Sequence, residues 1–261
     1  MTAKYRFSLL ATLTLLLSPI GGVGGGSTAS AQDKYFQQPA TTTATPDADG
    51  FIRRWMVLEP ISKPNRSNTV FTDSYLRQVF AEEYFKGQMT ILPRDGQKVK
   101  AKFEKVEMPA DYRRVDPSTL KVTRGTETLR WHLLDSKTYN LKLMRFGEHV
   151  MQRLYGVIYW VVTTVECDSD IENVRLSVGS NSASMWWLNG NEALILSGDR
   201  RMVVDDAMSQ RLTLHKGTNI IRGAIINGPG MSDFCVRFVD ENGAPVTEIK
   251  TLSPAPSSPT P

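Results

Sequence analysis

The sequence is poor in the residues that bind transition metals or cross-link a chain. It contains two cysteines and three histidines among 261 residues, and these do not stand at the short spacings of zinc sites. We therefore expect no cofactor and no transition metal, and a disulfide-rich small scaffold is excluded. Cys167 and Cys235 leave two alternatives. One is a disulfide in an exported protein, which would close a loop of roughly 68 residues and add about 4 kcal/mol of stability. The other is two buried thiols.

No long hydrophobic run follows residue 31, so the sequence predicts no transmembrane segment after that point. Before it, Lys4 and Arg6 precede an apolar run from Phe7 to Ile20, and Ala29-Ser30-Ala31 forms a signal-peptidase site. The run is shorter than the about 20 residues that a bilayer requires. We predict that residues 1–31 are a cleaved secretory signal and that the protein is periplasmic or extracellular.

The sequence also lacks a large excess of charge of one sign. The formal net charge of +4 falls to +2 without residues 1–31, which contain two basic residues and no acid. The remaining charges are interspersed and form no long basic run, a distribution that gives no support for nucleic-acid binding. We expect no nucleic-acid partner.

Both ends of the remaining chain have compositions typical of unpacked segments. Pro39–Gly50 is rich in Thr, Ala and Pro without an apolar period, and Ser253–Pro261 is a Pro/Ser tail. We predict a flexible linker over residues 32–50 and a disordered tail over residues 251–261. The roughly 200 residues of 51–250 are enough for one sizeable core and form a single predicted domain.

Short apolar or alternating segments separated by turn signals dominate that domain. They predict an all-β fold, an antiparallel β-sandwich or jelly roll. One N-terminal helix is predicted within Phe71–Phe85, with Thr72 or Asp73 as its N-cap, and residues 94–128 are predicted to be a hairpin or long insertion. The predicted strand regions are Phe51–Pro60, Leu129–Phe146 (one or two strands), Leu154–Cys167, Asn173–Ser180, Ser182–Leu196, Gln210–Gly228 and Asp233–Val246.

Four short motifs follow the aromatic strand of residues 154–167. They are Gly179-Ser180, Trp187–Gly190, Leu214–Asn219 and Phe234–Gly243. Their order resembles that of the galactose-binding-like jelly-roll modules of secreted bacterial polysaccharide-degrading proteins, some of them associated with acetylxylan esterases. The resemblance implies such a β-sandwich over 51–250 and a role in polysaccharide use. A common form of the first motif continues with two acids, where this chain has Asn181 and Ser182.

The motifs of hydrolytic catalysis are missing. No G-x-S-x-G nucleophile elbow occurs, and in Ser197–Arg200 the serine precedes the glycine. His132, His149 and His215 are the candidate bases, and none stands beside a nucleophile motif. No pair of carboxylates can be selected for a glycosidase.

The Trp hairpin and the polar segment after it form the predicted ligand site. Trp186 and Trp187 point to opposite faces of a strand. The resemblance assigns Trp187 to the core, which leaves Trp186 as a platform for a sugar or as packing under residues 94–128. Planar polar groups nearby would bind sugar hydroxyls. The predicted ligand-binding residues are Trp186, Asp199, Arg200, Arg201, Asp205, Asp206, Asn227 and Asp233.

Two other interpretations of the segment stay open. The first is an ion-paired loop, in which Arg200 or Arg201 pairs with Asp205 or Asp206 and binds no ligand. The second is a structural Ca²⁺ bound by Asp205 and Asp206, because structural Ca²⁺ sites are built from loop carboxylates.

The sequence as a whole predicts an exported, non-catalytic carbohydrate-binding or accessory protein whose partner is a plant-type polysaccharide or oligosaccharide. The first alternative is a carbohydrate esterase of the acetylxylan-esterase type, with an unidentified nucleophile. The second is a structural or protein-interaction module of the envelope. Retention by polysaccharide without turnover favours the binding protein, and acetate release from acetylated xylan favours the esterase.

Overall fold

The structure is a computed structural model that describes five stretches of the chain: residues 34–64, 71–106, 120–150, 154–228 and 230–252. The predicted signal peptide lies outside the described residues, as does the predicted tail beyond Leu252. None of the helices in these five stretches has the length and apolar character needed to cross a bilayer.

Short antiparallel strands make up most of the molecule. In chain order the strands are β1 (Phe36–Gln37), β2 (Thr43–Ala44), β3 (Arg54–Leu58), β4 (Ile61–Ser62), β5 (Lys98–Val106), β6 (Val122–Ser136), β7 (Val157–Cys167), β8 (Ile171–Ser180), β9 (Ala183–Leu188), β10 (Asn191–Leu196), β11 (Ala207–Met208), β12 (Leu212–Leu214), β13 (Gly217–Asn227), β14 (Phe234–Val239) and β15 (Lys250–Leu252). The helices are α1 (Asp73–Ala81) and α2 (Leu143–Val150).

The strands form two sheets. The large sheet runs in the order β1-β6-β3-β7-β13-β9-β10, with β2, β4, β5 and β15 paired beside this path. Its centre is the long β7–β13 pair, in register from Cys167 opposite Gly217 to Val157 opposite Asn227. In the small sheet β8 pairs with β11, β12 and β14. The predicted all-β antiparallel sandwich is confirmed.

Two hydrophobic cores lie on the two faces of the large sheet. The first is the sandwich core, which includes Trp55, Trp186 and Phe234. The second lies on the opposite face beneath α1 and includes Trp160 and Trp187. Every residue of β9 is buried, because both faces of this strand are covered.

The positions predicted for the two adjacent tryptophans are exchanged. Trp186 is 0% exposed, and its ring packs edge-on against Trp55 at 5.8 Å and Phe234 at 5.1 Å between ring centroids. It cannot stack on a ligand, so the predicted sugar platform is wrong. Trp187 lies outside the sandwich core, with its ring stacked on Trp160 at 5.7 Å. The reason is the helical layer over the second face, which turns both sides of β9 into core.

The predicted N-terminal helix is confirmed as α1. The hydroxyl of its N-cap residue, Thr72, accepts a hydrogen bond from the backbone N–H of Tyr75 at 3.3 Å, which satisfies one of the free donors of the first turn. The helix buries one face against the second core through Leu76, Val79 and Phe80.

A second helix, α2, lies where the sequence predicts strand. Only the first part of the predicted strand region, up to Ser136, belongs to β6. Leu143, Phe146 and Gly147 are the buried residues of α2, and their spacing of three and four is that of one helical face. The predicted insertion at 94–128 contains the β5–β6 hairpin, paired from Lys98–Arg130 to Val106–Val122.

The predicted flexible linker of residues 32–50 is wrong for its described part. Phe36 of β1 pairs with Ser136 of β6, and Ala44 of β2 pairs with Thr251 of β15. Thr251 is 2% exposed, so the folded domain also extends past the predicted boundary at residue 250. These strand partners are distant in the chain, and local composition carries no signal for them.

The structure contains the two cysteines as buried free thiols and not as a disulfide. Cys167 ends β7 in the large sheet, whereas Cys235 belongs to β14 in the small sheet. Burial raises the pKa of the Cys235 thiol to about 11, so this thiol stays protonated at neutral pH.

Candidate binding groove

A polar pocket opens on the large sheet beside the N-terminal segment. Its volume is about 530 Å³, within the range of roughly 300–1,000 Å³ that is typical of small-ligand sites. Threonine hydroxyls from residues 41–45 line it together with planar and charged side chains, which are Gln37, Gln38, Arg53, Arg54, Asp135 and Lys250. Amide, carboxylate and guanidinium groups are the donors and acceptors that can bind adjacent hydroxyls.

Three neighbouring strands place a row of polar side chains in this pocket. Gln37 of β1 lies opposite Asp135 of β6, and Asp135 lies opposite Arg54 of β3. Arg54 and Asp135 are only 5% and 4% exposed. Arg54 donates from Nε and Nη2 to Oδ2 of Asp135 at 3.1 and 2.6 Å. Both of these bonds end on Oδ2, so the two side chains form one buried ion pair at the centre of the row.

Side-chain hydrogen bonds to its backbone carbonyls hold the N-terminal segment as one wall of the pocket. Arg54 Nη1 donates to the carbonyl oxygen of Thr41 at 2.8 Å. Thr251 donates from Oγ1 to the carbonyl oxygen of Ala44 at 3.0 Å. The segment that composition predicts to be flexible is therefore the part of the chain that closes the pocket.

A second cavity, of about 400 Å³, adjoins the first at Arg54, which lines both. Its lining is mainly aliphatic and also includes Arg94; the aliphatic members are Leu92, Pro93, Leu133, Val162 and Leu252. We call the two cavities together the candidate binding groove. It combines a polar end, suited to hydroxyls, with an apolar end.

A buried arginine lies behind the apolar end of the groove. Arg222 of β13 is 2% exposed and is the cross-strand neighbour of Val162 in the groove wall. Its Nη1 donates to the carbonyl oxygen of Ile91 at 2.6 Å. No carboxylate of the described residues pairs with it, and burial lowers the pKa of its guanidinium to about 10. The group is therefore still a cation at neutral pH.

The structure brings five of the predicted ligand-binding residues into one loop, where ion pairs use most of their charge. Arg200 donates from Nε to Asp206 at 2.8 Å. Arg237 of β14 donates from Nε to Asp205 at 2.9 Å, and Ser177 also donates to this carboxylate. Arg237 holds the pKa of Asp205 below its usual value. The ion-paired loop, one of the sequence alternatives, matches this arrangement.

The same contacts bear on the Ca²⁺ alternative. The carboxylates of Asp205 and Asp206 each bind a guanidinium group, so these two acids do not fit a cation site. In the five described stretches no group of three or more His, Cys, Asp and Glu side chains could hold a metal ion. Asp199 and Arg201 are exposed in this loop, and neither is among the residues that line the groove.

Asn227 and Asp233, the other predicted ligand contacts, are 0% and 1% exposed. Asn227 Nδ2 donates to Ser232 Oγ at 2.6 Å. Asp233 pairs with Lys142 Nζ at 3.1 Å; burial raises the pKa of its carboxyl group, and Lys142 opposes that shift. Their burial excludes ligand contact, and their role is to fix the loop between β13 and β14.

The three candidate bases have no adjacent nucleophile. His132 Nε2 lies 2.9 Å from Glu59, His215 Nδ1 lies 3.7 Å from Asp170, and His149 belongs to α2. Within the described part of the chain no imidazole hydrogen-bonds to a serine, threonine or cysteine side chain. The esterase alternative therefore gains no nucleophile–base pair.

Sequence patterns do not predict the groove, because its residues are scattered along the chain. One sequence signal does point to the ion pair in it. Arg54 lies on the same face of β3 as Met56 and Leu58, and Asp135 lies on the same face of β6 as Leu133, because side chains two residues apart on a strand share a face. A charge at an apolar position of a strand needs a buried partner. Two such positions of opposite sign predict an ion pair between the strands.

Comparisons with known proteins identify no family. No family model matches the chain, and no curated protein matches it. One similar solved structure is the beta-glucosidase from Kluyveromyces marxianus in complex with glucose, with 14% identity, a TM-score of 0.33, and coverage of 54% of this chain and 16% of that one. Another is the PA14 domain of the antifreeze protein MpAFP, with 10% identity, a TM-score of 0.34, and coverage of 82% and 98%. At these TM-scores the likeness assigns neither a fold family nor a function, and the galactose-binding-like resemblance stays a prediction.

Proposed function

We propose that the chain is an exported, non-catalytic carbohydrate-binding protein that holds a polysaccharide chain in the candidate binding groove. The polar pocket is the observation that carries this proposal. Its row of amide, carboxylate and guanidinium groups offers donors and acceptors on three adjacent strands, and rigid strands keep such groups at fixed spacing. Export is inferred from residues 1–31 of the sequence.

The shape of the groove supports a chain-like ligand over a small molecule. Arg54 lines both cavities, so a ligand longer than one sugar that passes over this side chain would contact both. The polar end would bind hydroxyl groups, and the aliphatic end would contact the C–H faces of the rings. Such a division of polar and apolar contacts is usual in sites that orient a ligand.

Glycan-array and affinity-gel binding test the proposal with two matched double variants. Gln37→Ala with Arg53→Ala removes two groups of the pocket, and Gln210→Ala with Arg211→Ala removes the same residue types before β12 on the small sheet. We expect the pocket variant to bind at least tenfold more weakly, which is about 1.4 kcal/mol, while the control binds as the wild type does. The proposal fails if the wild type retains no glycan or if the pocket variant binds normally.

A further inference from the structure

The charge of the candidate binding groove is unbalanced. Four basic side chains and one acidic side chain line it. Arg54 and Asp135 neutralise each other through their ion pair. Arg53 and Lys250 remain at the polar end, where their nearest carboxylates are 3.9 and 3.6 Å away and belong to residues outside the lining. Arg94 remains at the apolar end, and no carboxylate of the described residues pairs with it.

Arg222 adds a positive charge that no carboxylate of the described residues neutralises. Its guanidinium is buried and has one carbonyl partner, at the residue before Leu92 of the groove wall. Burying an unpaired cation is unfavourable, and an anion bound in the adjoining cavity would offset part of that cost. Electrostatic attraction is also stronger here than in water, because the surrounding side chains are apolar.

Among the described residues that line the groove, no aromatic ring is exposed for stacking. The one aromatic residue among its lining, Trp55, is 1% exposed and belongs to the sandwich core. Neutral sugars and nucleotide bases are commonly held by stacking on such rings. Selectivity in this groove must therefore come from hydrogen bonds and charge.

We propose that the groove selects an acidic polysaccharide, whose uronate carboxylates or sulfate esters pair with Arg53, Arg94 and Lys250 and lie in the field of Arg222. This inference rests on the proposed function and specifies its ligand class. Guanidinium groups bind carboxylates and other oxyanions through two parallel N–H bonds, so the two arginines would fix the register of the charged groups along the groove.

Matched polymers test this inference separately from the proposed function. Binding of polygalacturonate, of its carboxyl-reduced form and of a sulfated galactan is measured by isothermal titration at low and high salt. We expect at least tenfold tighter binding of an acidic polymer than of the reduced one, with a preference that weakens as salt rises. The carboxylated and sulfated polymers distinguish the two sources of charge.

Variants locate the effect. Arg94→Gln and Arg222→Met should each lower the affinity for the acidic polymer several-fold and leave the reduced polymer unaffected, while Arg211→Gln, on the small sheet, changes neither. Arg222→Lys keeps the charge and should keep most of the preference, and a thermal melt of each variant confirms folding. Equal binding of acidic and reduced polymers overturns the acidic class and leaves the proposed function standing. If the protein binds neither polymer, or binds only a single-stranded oligonucleotide, both the acidic ligand class and the proposed function are overturned.

Discussion

Replacing Asp135 with alanine leaves Arg54 as a buried cation without its carboxylate. The two side chains are 5% and 4% exposed, and both of the hydrogen bonds between them end on one oxygen. Removing one partner of such a pair typically costs about 3–5 kcal/mol, because the remaining charge is desolvated. For an ordered domain of this size, that loss lowers the melting temperature by roughly 6–20 °C.

Urea denaturation and calorimetry of the wild type and of Asp135→Ala measure this loss. The double variant Arg54→Met/Asp135→Leu removes both charges, so it should recover most of the stability that the single variant loses. Glu192→Gln serves as a control, because its partner Arg77 forms an exposed pair and exposed pairs contribute little. A decrease below about 1 kcal/mol for Asp135→Ala would contradict the reasoning.

Hydrogen exchange gives the same variant a second readout. Arg54 holds the pocket wall through its bond to the Thr41 carbonyl, so displacement of its guanidinium should raise amide exchange over residues 38–45. Exchange in β7 and β13, at the centre of the large sheet, should change much less. Protection of the wall equal to that of the wild type would show that strand pairing alone fixes it.

Three further predictions concern the cores, the ion-paired loop and the thiols. Gly223→Ala places a Cβ 2.5 Å from the Trp186 ring, so urea denaturation should show a loss of about 1–3 kcal/mol; unchanged stability would mean that the ring moves freely. Because the pKa of Asp205 is lowered in the fold, its contribution is present above the unfolded pKa and is lost as pH falls through the folded pKa. Arg237→Gln should therefore flatten the dependence of unfolding free energy on pH below about 4, and an unchanged slope would contradict this. A thiol reagent should label neither cysteine in the native protein and both in denaturant without reductant; labelling of none in denaturant would indicate a disulfide.

The fold class could be predicted because it depends on short-range patterns. Turn signals and period-two apolar segments identify the strands of the sandwich, and Thr72 identifies the start of α1. The assignment of Trp186 and Trp187 to particular cores could not be made this way. It depends on which layer covers each face of β9, and α1 lies far from that strand in the sequence.

The candidate groove was harder to predict than the fold for a similar reason. Residues 36–45 acquire structure only by pairing with β6 and β15, and their Thr/Ala/Pro composition is also that of unpacked segments. The predicted polar loop, in contrast, was conspicuous in sequence because its charges are adjacent. The structure shows that Arg200 and Asp206 bind each other, so density of charged residues was a poor guide to the groove.

The burial of β9 on both faces has a consequence for how the protein unfolds. Trp186 belongs to one core and Trp187 to the other, yet one peptide bond joins them. If either core separates from β9, the strand loses its support on that face, and its residues in the other core also become exposed. We therefore expect the two cores to melt in a single cooperative transition, and tryptophan fluorescence from either face to report the same midpoint.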